Sequence, residues 1–281
     1  MKIIRNITDL HLFLEEYKRF FPLKIIGFVP TMGALHAGHM SLIKQAKNQC
    51  NLVICSIFVN PTQFNDKSDL EKYPRTEVAD IELLKSNQCD VVFIPSKEDI
   101  YPNKKIKYLI DLNGLDTVLE GKYRDNHFVG VCMVVERLFK LVMPNKAFFG
   151  IKDFQQVAII KHMVNEKNID INIVACPIIR EESGLAMSSR NMLLLKQDKK
   201  EAVIISQALF KGLEAYKNGF QLTEVLKVML KILNESSLQL EYLEIVNNDT
   251  LQNVTEINDN SSVCIAAYCG KVRLIDNCQF S

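Results

Sequence analysis

Short apolar runs alternate with amphipathic segments along the first two thirds of the chain. The runs predict buried strands at 24–29, 52–59, 90–94, 147–149 and 171–176. Between them, apolar residues recur at helical spacing at 40–48, 75–87, 131–142 and 154–165. Strand, helix, strand units place consecutive strands in the same direction with both faces covered. The pattern therefore predicts an α/β fold with a Rossmann-like, doubly wound parallel sheet of five strands.

The pattern changes after Pro177. A loop rich in glycine, serine and charge (180–191) leads into two long helical patterns, at 198–217 and 223–234. Three strand candidates follow at 242–246, 263–268 and 272–274. Helices followed by clustered strands are typical of a separate α+β unit. We predict a first domain over 1–177 and a smaller C-terminal domain over 178–281.

Composition and charge point to a small substrate. The 281 residues include 34 Lys plus Arg and 33 Asp plus Glu, a formal net charge of +1. Such a balance argues against a nucleic-acid partner, which usually needs a basic excess. No apolar signal core follows Met1, and no run approaches the roughly 18 apolar residues of a membrane helix. We expect a soluble cytoplasmic protein without a membrane partner.

The eight cysteines are predicted to be core residues. They form no Cys-x-x-Cys pair, their spacing is irregular, and most have apolar neighbours. Small buried thiols in a reducing compartment fit this pattern better than a zinc site or a disulfide framework.

The strongest chemical signal lies where the first predicted strand gives way to its helix. Residues 30–39 read Pro-Thr-Met-Gly-Ala-Leu-His-Ala-Gly-His. In an open α/β sheet, ligands bind at this end of the strands, and helix-start amides hold phosphate oxygens. His36 and His39 could donate to one phosphate chain, while Gly33 and Gly38 let the backbone approach closely. The segment indicates a nucleotide-phosphate site.

Two other interpretations of the histidines compete with this one. They could be a metal-binding His-x-x-His pair or simply exposed side chains. Metal binding is disfavoured because Gly38 weakens a ligand-bearing helix and no acidic or cysteine partner lies nearby in the sequence. The segment is neither a P-loop, since Gly-Lys-Ser/Thr is missing, nor a dinucleotide fingerprint.

Further motifs occur in a fixed order along the chain. They are Phe58-Val59-Asn60-Pro61-Thr62-Gln63-Phe64, Tyr73-Pro74-Arg75-Thr76, Leu119-Glu120-Gly121, 148–156, Met187-Ser188-Ser189-Arg190-Asn191 and the tail 272–277. Together with His36-Ala37-Gly38-His39, this set resembles the pantothenate synthetase (pantoate–β-alanine ligase) family, which belongs to the nucleotidyltransferases with a His-Ile-Gly-His type signature. The resemblance covers essentially the whole chain.

The resemblance implies an ATP-dependent ligase that joins (R)-pantoate to β-alanine and releases AMP and pyrophosphate through an enzyme-bound pantoyl adenylate. ATP would be a co-substrate, Mg²⁺ the cofactor, and the active form a homodimer. The first domain would also bind pantoate, and the C-terminal domain would act as a lid carrying 187–190.

The resemblance also implies roles for individual residues. The catalytic group comprises His36, His39, Lys152, Ser188, Ser189 and Arg190. ATP would contact Met32, Gly33, Ala34, Leu35, His36, Ala37, Gly38, His39, Gly150, Ile151, Lys152, Asp153, Ile179, Met187, Ser188, Ser189 and Arg190. Pantoate would contact Gln63, Gln156, Asn60 and Arg124. Gln63 would also touch β-alanine, and Asp80 would lie at the metal.

Two positions depart from the family pattern. Ile151 stands where an acidic or amide residue is usual, and Val129 replaces the basic residue of a His-Phe-Arg-Gly motif. Two alternatives to the ligase stay open at this point. One is a transferase that stops after moving an AMP or CMP group, and the other is a non-catalytic nucleotide-binding regulator.

Overall fold

A computed structural model describes residues 1–65, 67–102 and 108–280. Backbone contacts divide the chain into two compact units. The first comprises Met1–Asn113, Tyr123–Ile151 and Ile159–Pro177, and the second comprises Gly114–Lys122, Lys152–Ala158 and Ile178–Ser281. Segments 114–122 and 152–158 thus group with the C-terminal part, although the sequence division placed them in 1–177. The independence of the two predicted domains stays a prediction.

The first unit is built on a parallel sheet. Its strands are β1 (Lys2–Ile4), β2 (Ile26–Thr31), β3 (Leu52–Ile57), β4 (Val91–Phe93), β5 (Lys146–Gly150) and β6 (Asn172–Cys176). They lie in the order β1-β4-β3-β2-β5-β6, and every pairing is parallel. Every residue of β3 is buried, as expected for a strand covered on both faces. The predicted Rossmann-like class is confirmed, with β2 and β3 at the centre of the sheet.

Helices connect these strands. They are α1 (Ile7–Phe20), α2 (Ala37–Gln49), α3 (Lys67–Lys72), α4 (Glu77–Ser86), α5 (Lys97–Ile100), α6 (Glu120–Tyr123), α7 (His127–Val142) and α8 (Phe154–Glu166). Short 3-10 turns lie at Pro61–Gln63 and Ile151–Asp153. Side chains of α2 and α4 pack on β2, β3 and β4 around Ile43, Leu84 and Val92. Burial of these apolar faces fixes where each strand ends, and so where the loops of the site begin.

The sheet has six strands, so the prediction of five was wrong. The extra strand, β1, is only three residues long and lies at the edge beside β4. Helix α1, also missed, is capped by Asn6, whose side-chain oxygen accepts the Asp9 N–H, and it buries Leu10 and Leu14. Two apolar residues four apart on one helix face were the available signal.

The second unit packs two helices on an antiparallel sheet. Its elements are a 3-10 turn (Ser189–Leu193), α9 (Lys196–Lys217), α10 (Leu222–Asn234), β7 (Gln239–Asn247), β8 (Ser261–Cys269) and β9 (Val272–Gln279). The sheet order is β7-β8-β9. Its core combines Leu209, Met229 and Ile265 from both layers. The predicted C-terminal α+β arrangement is confirmed.

Two expectations about the chain's chemistry can be compared with the structure. All eight cysteines carry thiols that are not joined in disulfides, and seven of them are buried. Among the described residues, no helix combines the length and the apolar character needed to cross a membrane.

Candidate active site

The turn after β2 presents two histidines at the start of α2. Gly33 and Ala34 take left-handed conformations, with φ of 81° and 50°. His36 is the N-cap of α2, and its Nδ1 accepts the Gly38 N–H at 3.1 Å. Nδ1 of His39 accepts the His36 N–H at 3.3 Å, and the two ring centroids are 4.1 Å apart. Since both Nδ1 atoms act as acceptors, each neutral imidazole carries its proton on Nε2.

This geometry suits an anion. Helix α2 begins at Ala37, three residues earlier than the sequence pattern predicted, so His39 lies in its first turn. The N-terminus of a helix carries partial positive charge and unpaired N–H groups. Two Nε2–H donors placed there would face a phosphate as neutral hydrogen-bond donors.

Asp80 of α4 holds the same turn. Its side chain is 2% exposed, and its two carboxylate oxygens accept the N–H groups of Ala34 at 2.9 Å and Leu35 at 2.8 Å. The Thr76 hydroxyl donates a third hydrogen bond at 3.1 Å. A carboxylate that accepts three such bonds fixes a left-handed turn that alanine rarely adopts by itself.

The surroundings of Asp80 do not fit a magnesium ligand. Mg²⁺ requires an octahedral shell of oxygens and keeps several waters. Asp80 is buried, and both of its oxygens already accept hydrogen bonds from the protein. Within the described part of the chain, no group of three His, Cys, Asp or Glu side chains could hold a metal ion. These hydrogen bonds give Asp80 a positioning role, and its contact with the metal stays a prediction.

The turn after β3 carries Gln63, which is 9% exposed. Asn60 braces this turn: its Nδ2 donates to Gln63 Oε1 at 3.0 Å and to the Gly130 carbonyl at 3.2 Å. Its Oδ1 accepts bonds from Thr62 and from the Tyr101 hydroxyl, the latter at 2.7 Å. Burial raises the pKa of Tyr101 to about 12, so the phenol stays a donor. Asn60 is 1% exposed and positions Gln63, and its contact with pantoate stays a prediction.

Helix α7 supports Gln63 from the other side. Its first residue, His127, donates from Nδ1 to the Gln63 carbonyl at 2.7 Å. A Cβ on Gly130 would lie 2.5 Å from the Thr62 carbonyl oxygen, so only glycine allows this close approach. Sequence reasoning missed both residues, although a glycine within the helix was a usable signal. Arg124 lies just before α7, where its carbonyl accepts the His127 N–H at 3.1 Å.

In the second unit, the segment before α8 carries Lys152. Its side chain is 18% exposed, and Nζ lies 3.9 Å from the Asp153 carboxylate. Gln155 is 3% exposed and donates both Nε2 hydrogens, to the carbonyls of Leu115 at 2.7 Å and Val118 at 2.8 Å. Its neighbour Gln156 is half-buried. Gln155 therefore anchors the helix start, and Gln156 remains the better candidate for a ligand contact.

The loop 179–191 of the second unit is folded back on itself. The Met187 N–H donates to the Ile179 carbonyl at 2.9 Å, and Arg180 bridges to Ala186. The Ser188 hydroxyl accepts the Arg190 N–H at 3.2 Å, which starts the 3-10 turn. The sequence pattern predicted an open polar loop here. The structure instead holds the two serines and the arginine in one short turn.

The comparisons with known proteins agree on one family. The Pantoate-beta-alanine ligase family model matches residues 2–279. The chain belongs to the pantoate-beta-alanine ligase family. It is 47% identical to the pantothenate synthetase of Bacteroides fragilis, with 100% of this chain and 99% of that protein aligned. It is 48% identical to that of Cytophaga hutchinsonii, with 98% and 97% aligned.

Solved structures agree with the sequence relatives. The pantothenate synthetase of Thermus thermophilus superimposes with a TM-score of 0.93 at 34% identity, covering 100% of this chain and 99% of that chain. The enzyme of Francisella tularensis, whose structure contains β,γ-ATP and β-alanine, gives 0.83 at 38% identity and covers 100% and 98%. The predicted ligase of the pantoate-beta-alanine ligase family is confirmed over both alternatives, the nucleotide transferase and the regulator.

Contacts link some of the predicted residues within each unit. In the first unit, the 32–39 turn and Gln63 are linked, since Gln63 Nε2 donates to the Met32 sulfur at 3.2 Å. In the second unit, the last strand, β9, contacts both the Lys152 carbonyl and the 3-10 turn that begins at Ser189. Their roles toward substrates are the subject of the following proposal.

Proposed function

We propose that the chain joins pantoate to β-alanine with ATP, through an enzyme-bound pantoyl adenylate. The observation that carries this proposal is the pair of Nε2–H donors that His36 and His39 present at the N-terminus of α2. Neutral donors in a fixed orientation stabilise charge that develops on a departing pyrophosphate, at little cost of reorganisation. The β,γ-ATP and β-alanine bound by the Francisella relative support both substrates.

We assign the ATP contacts to the residues that the family resemblance implies. They are Met32, Gly33, Ala34, Leu35, His36, Ala37, Gly38, His39, Gly150, Ile151, Lys152, Asp153, Ile179, Met187, Ser188, Ser189 and Arg190. Lys152 and Arg190 supply positive charge, since an ammonium acts as a compact charge and a guanidinium can grip two oxygens. Ile151 leaves the charge of Lys152 unaffected.

We assign pantoate to the amides of Gln63 and Gln156, and β-alanine to Gln63. A neutral amide can orient a carboxylate and hydroxyl groups without the strong ion pair that would stabilise the attacking carboxylate in the ground state. Asn60, Tyr101 and His127 hold Gln63 in place. Arg124, which precedes α7, is the remaining candidate contact to pantoate.

The reaction then proceeds in two displacements. A carboxylate oxygen of pantoate attacks the α-phosphorus of ATP, the bond to the β-phosphate oxygen breaks, and pyrophosphate leaves. The neutral amine of β-alanine attacks the acyl carbon of the resulting mixed anhydride, loses a proton and expels AMP. Catalysis rests on positioning and charge neutralisation, because the protein forms no covalent bond.

Magnesium enters this proposal only with ATP. It shields phosphate charge in ATP chemistry and usually takes few protein ligands. The hydrogen bonds of Asp80 to the 34–35 turn support a positioning role, so we assign no protein residue to the ion.

Pyrophosphate exchange tests the proposed reaction. Labelled pyrophosphate should enter ATP when pantoate is present and β-alanine is absent, since only a reversible adenylation without the second substrate does this. Omission of pantoate is the control and should abolish the exchange. A protein that shows neither this exchange nor AMP release on addition of β-alanine is not the proposed ligase.

The predicted homodimer also belongs to the proposal. It rests on the family resemblance alone. Light scattering on the eluted protein should give about twice the 32.1 kDa of one chain, whereas a mass of one chain at assay concentration would contradict it. The cytoplasmic location likewise stays a prediction.

A further inference from the structure

The tail segment 272–277 matches the family, but no role in binding or catalysis has been assigned to it. It forms most of β9, at one edge of the antiparallel sheet. Three of its side chains, those of Arg273, Asp276 and Asn277, make polar contacts outside that sheet. Their partners lie in three separate segments of the second unit.

Asn277 reaches the segment that carries Lys152. Its side chain is 3% exposed, and Nδ2 donates to the main-chain carbonyl of Lys152 at 2.9 Å. A buried hydrogen bond to this carbonyl fixes the peptide that follows Lys152, and therefore the direction in which its side chain leaves the backbone.

Arg273 holds α8 indirectly, through the segment 114–122. Its guanidinium donates two hydrogen bonds to the Glu120 carboxylate, at 2.7 and 2.8 Å, and a further bond to Glu241. The Tyr242 hydroxyl also donates to Glu120 at 2.8 Å. The segment fixed in this way offers its Leu115 and Val118 carbonyls to Gln155. The start of α8 is thus held by hydrogen bonds at two residues, the carbonyl of Lys152 and the side chain of Gln155.

Asp276 holds the loop that carries Ile179, one of the residues assigned to ATP. Its carboxylate, 4% exposed, accepts hydrogen bonds from the Arg180 guanidinium at 2.5 and 3.1 Å. The same carboxylate accepts the N–H of Asn277 at 2.8 Å. Arg180 is adjacent to Ile179, so one strand supports two of the segments assigned to ATP.

We propose that β9 positions the ATP-binding segments of the second unit, with Asn277 as the positioning residue for Lys152 and Asp276 as that for Ile179. This inference rests on the proposed function, because it takes the phosphate role of Lys152 from there. The rate of a reaction at phosphorus depends on the position of the protein's charged groups, because the protein forms no covalent bond in the reaction. A strand remote in sequence therefore controls adenylation without touching a substrate.

The variant Asn277→Asp tests the proposal. Its carboxylate keeps the size of the amide but offers two acceptors, so it repels the Lys152 carbonyl that the amide had bound. We expect pantoate-dependent pyrophosphate exchange to fall about 100-fold, the usual cost of a small misplacement. Gln279→Glu is the matched control, since Gln279 is an exposed amide on the same strand. It should keep activity within about twofold, and equal activity in both variants would overturn the proposal.

A double variant separates positioning from general damage. With Lys152→Met as the background, Asn277→Asp should lower exchange no more than about threefold further, because the group it positions is gone. A full additional loss would show that Asn277 acts on the fold as a whole, and would overturn the proposal.

A second variant and a hydrogen-exchange measurement complete the test. If Asn277→Asp does not fold, Asn277→Ala replaces it, and failure of both to fold would mean that the residue maintains the fold only. Hydrogen exchange tests positioning without activity: the amides of residues 157–160, the first that bond within α8, should exchange about tenfold faster in Asn277→Asp than in Gln279→Glu. Unchanged protection would contradict the proposal, whereas inactive parent protein would refute the proposed function alone.

Discussion

At the scale of single residues, the site depends on hydrogen bonds that orient functional groups. His36 and His39 are adjacent in one turn, and Nδ1 of each accepts a hydrogen bond from a main-chain N–H. In the neutral imidazole the proton is then on Nε2, the nitrogen that the proposal assigns to phosphate. The imidazoles thus serve both the backbone and the ligand, and their two ring nitrogens are not equivalent.

Replacements of His39 distinguish the two ring nitrogens. The amide nitrogen of glutamine can reach the position of Nε2, whereas that of asparagine reaches only the position of Nδ1. We expect His39→Asn to lose about 100- to 1,000-fold in pyrophosphate exchange, as for the loss of one donor to a developing anion, and His39→Gln to lose clearly less. The measurement is the exchange rate at saturating ATP. The reverse order would contradict the assignment of Nε2, and His11→Ala serves as the control.

Asp80→Asn tests the positioning role of Asp80. The amide accepts one main-chain N–H, but its NH₂ group opposes the other, which destabilises the fold by about 1–3 kcal/mol. Thermal unfolding should show the loss of stability, and kinetics should show weaker ATP binding. The Mg²⁺ concentration for half-maximal rate, measured at saturating ATP, should stay the same. A large rise in that Mg²⁺ concentration without a loss of stability would show that Asp80 contacts the metal and would contradict the positioning role.

Sequence identified most of these residues but not what they contact. Asn60 stood out because it belongs to a recognisable motif, and Asp80 because the family resemblance implies a role for it. Asp80 contacts residues 34 and 35, and Asn60 contacts residues 101 and 130. All of these partners are distant in sequence. Hydrophobic periodicity predicts which elements form, but it carries no information on which carbonyl or amide a buried side chain will meet.

At the scale of elements, α7 is fitted to the turn that carries Gln63. The helix starts at His127, four residues before the predicted start at 131. The added turn contains the two residues that contact Thr62 and Gln63, namely Gly130 and His127. Polar and glycine residues at a helix start weaken the apolar pattern, so the functional turn was the part that the sequence did not reveal.

Gly130→Ala tests this close contact, because the contact should reverse the usual sign of the change in the free energy of unfolding. Alanine in a helix normally stabilises relative to glycine by about 1 kcal/mol. Here its Cβ would lie 2.5 Å from the Thr62 carbonyl oxygen, so we expect a loss of about 1–3 kcal/mol, typical of overpacking. Denaturant unfolding measures the change, and a stabilised variant would rule out the contact. The KM for pantoate should rise as the Gln63 turn shifts.

At the scale of the whole molecule, most of the architecture followed from periodicity. Strands β2, β3 and β5 in the interior of the sheet are apolar, and all three were predicted. The edge strand β1, with three residues, carries too little pattern to identify. The net charge of +1 excluded a broadly basic surface, yet anion binding can still be assigned to a few side chains. The substrates themselves came from resemblance and not from any physical pattern.

The path of one oxygen atom tests the adenylate most directly. Pantoate labelled with ¹⁸O in its carboxylate is incubated with ATP, β-alanine and the enzyme, and the products are analysed by mass spectrometry. Attack of that oxygen on the α-phosphorus, followed by cleavage of the acyl–oxygen bond, should place one ¹⁸O atom in each AMP. AMP without label, or label in pyrophosphate or inorganic phosphate, would contradict the proposed mechanism.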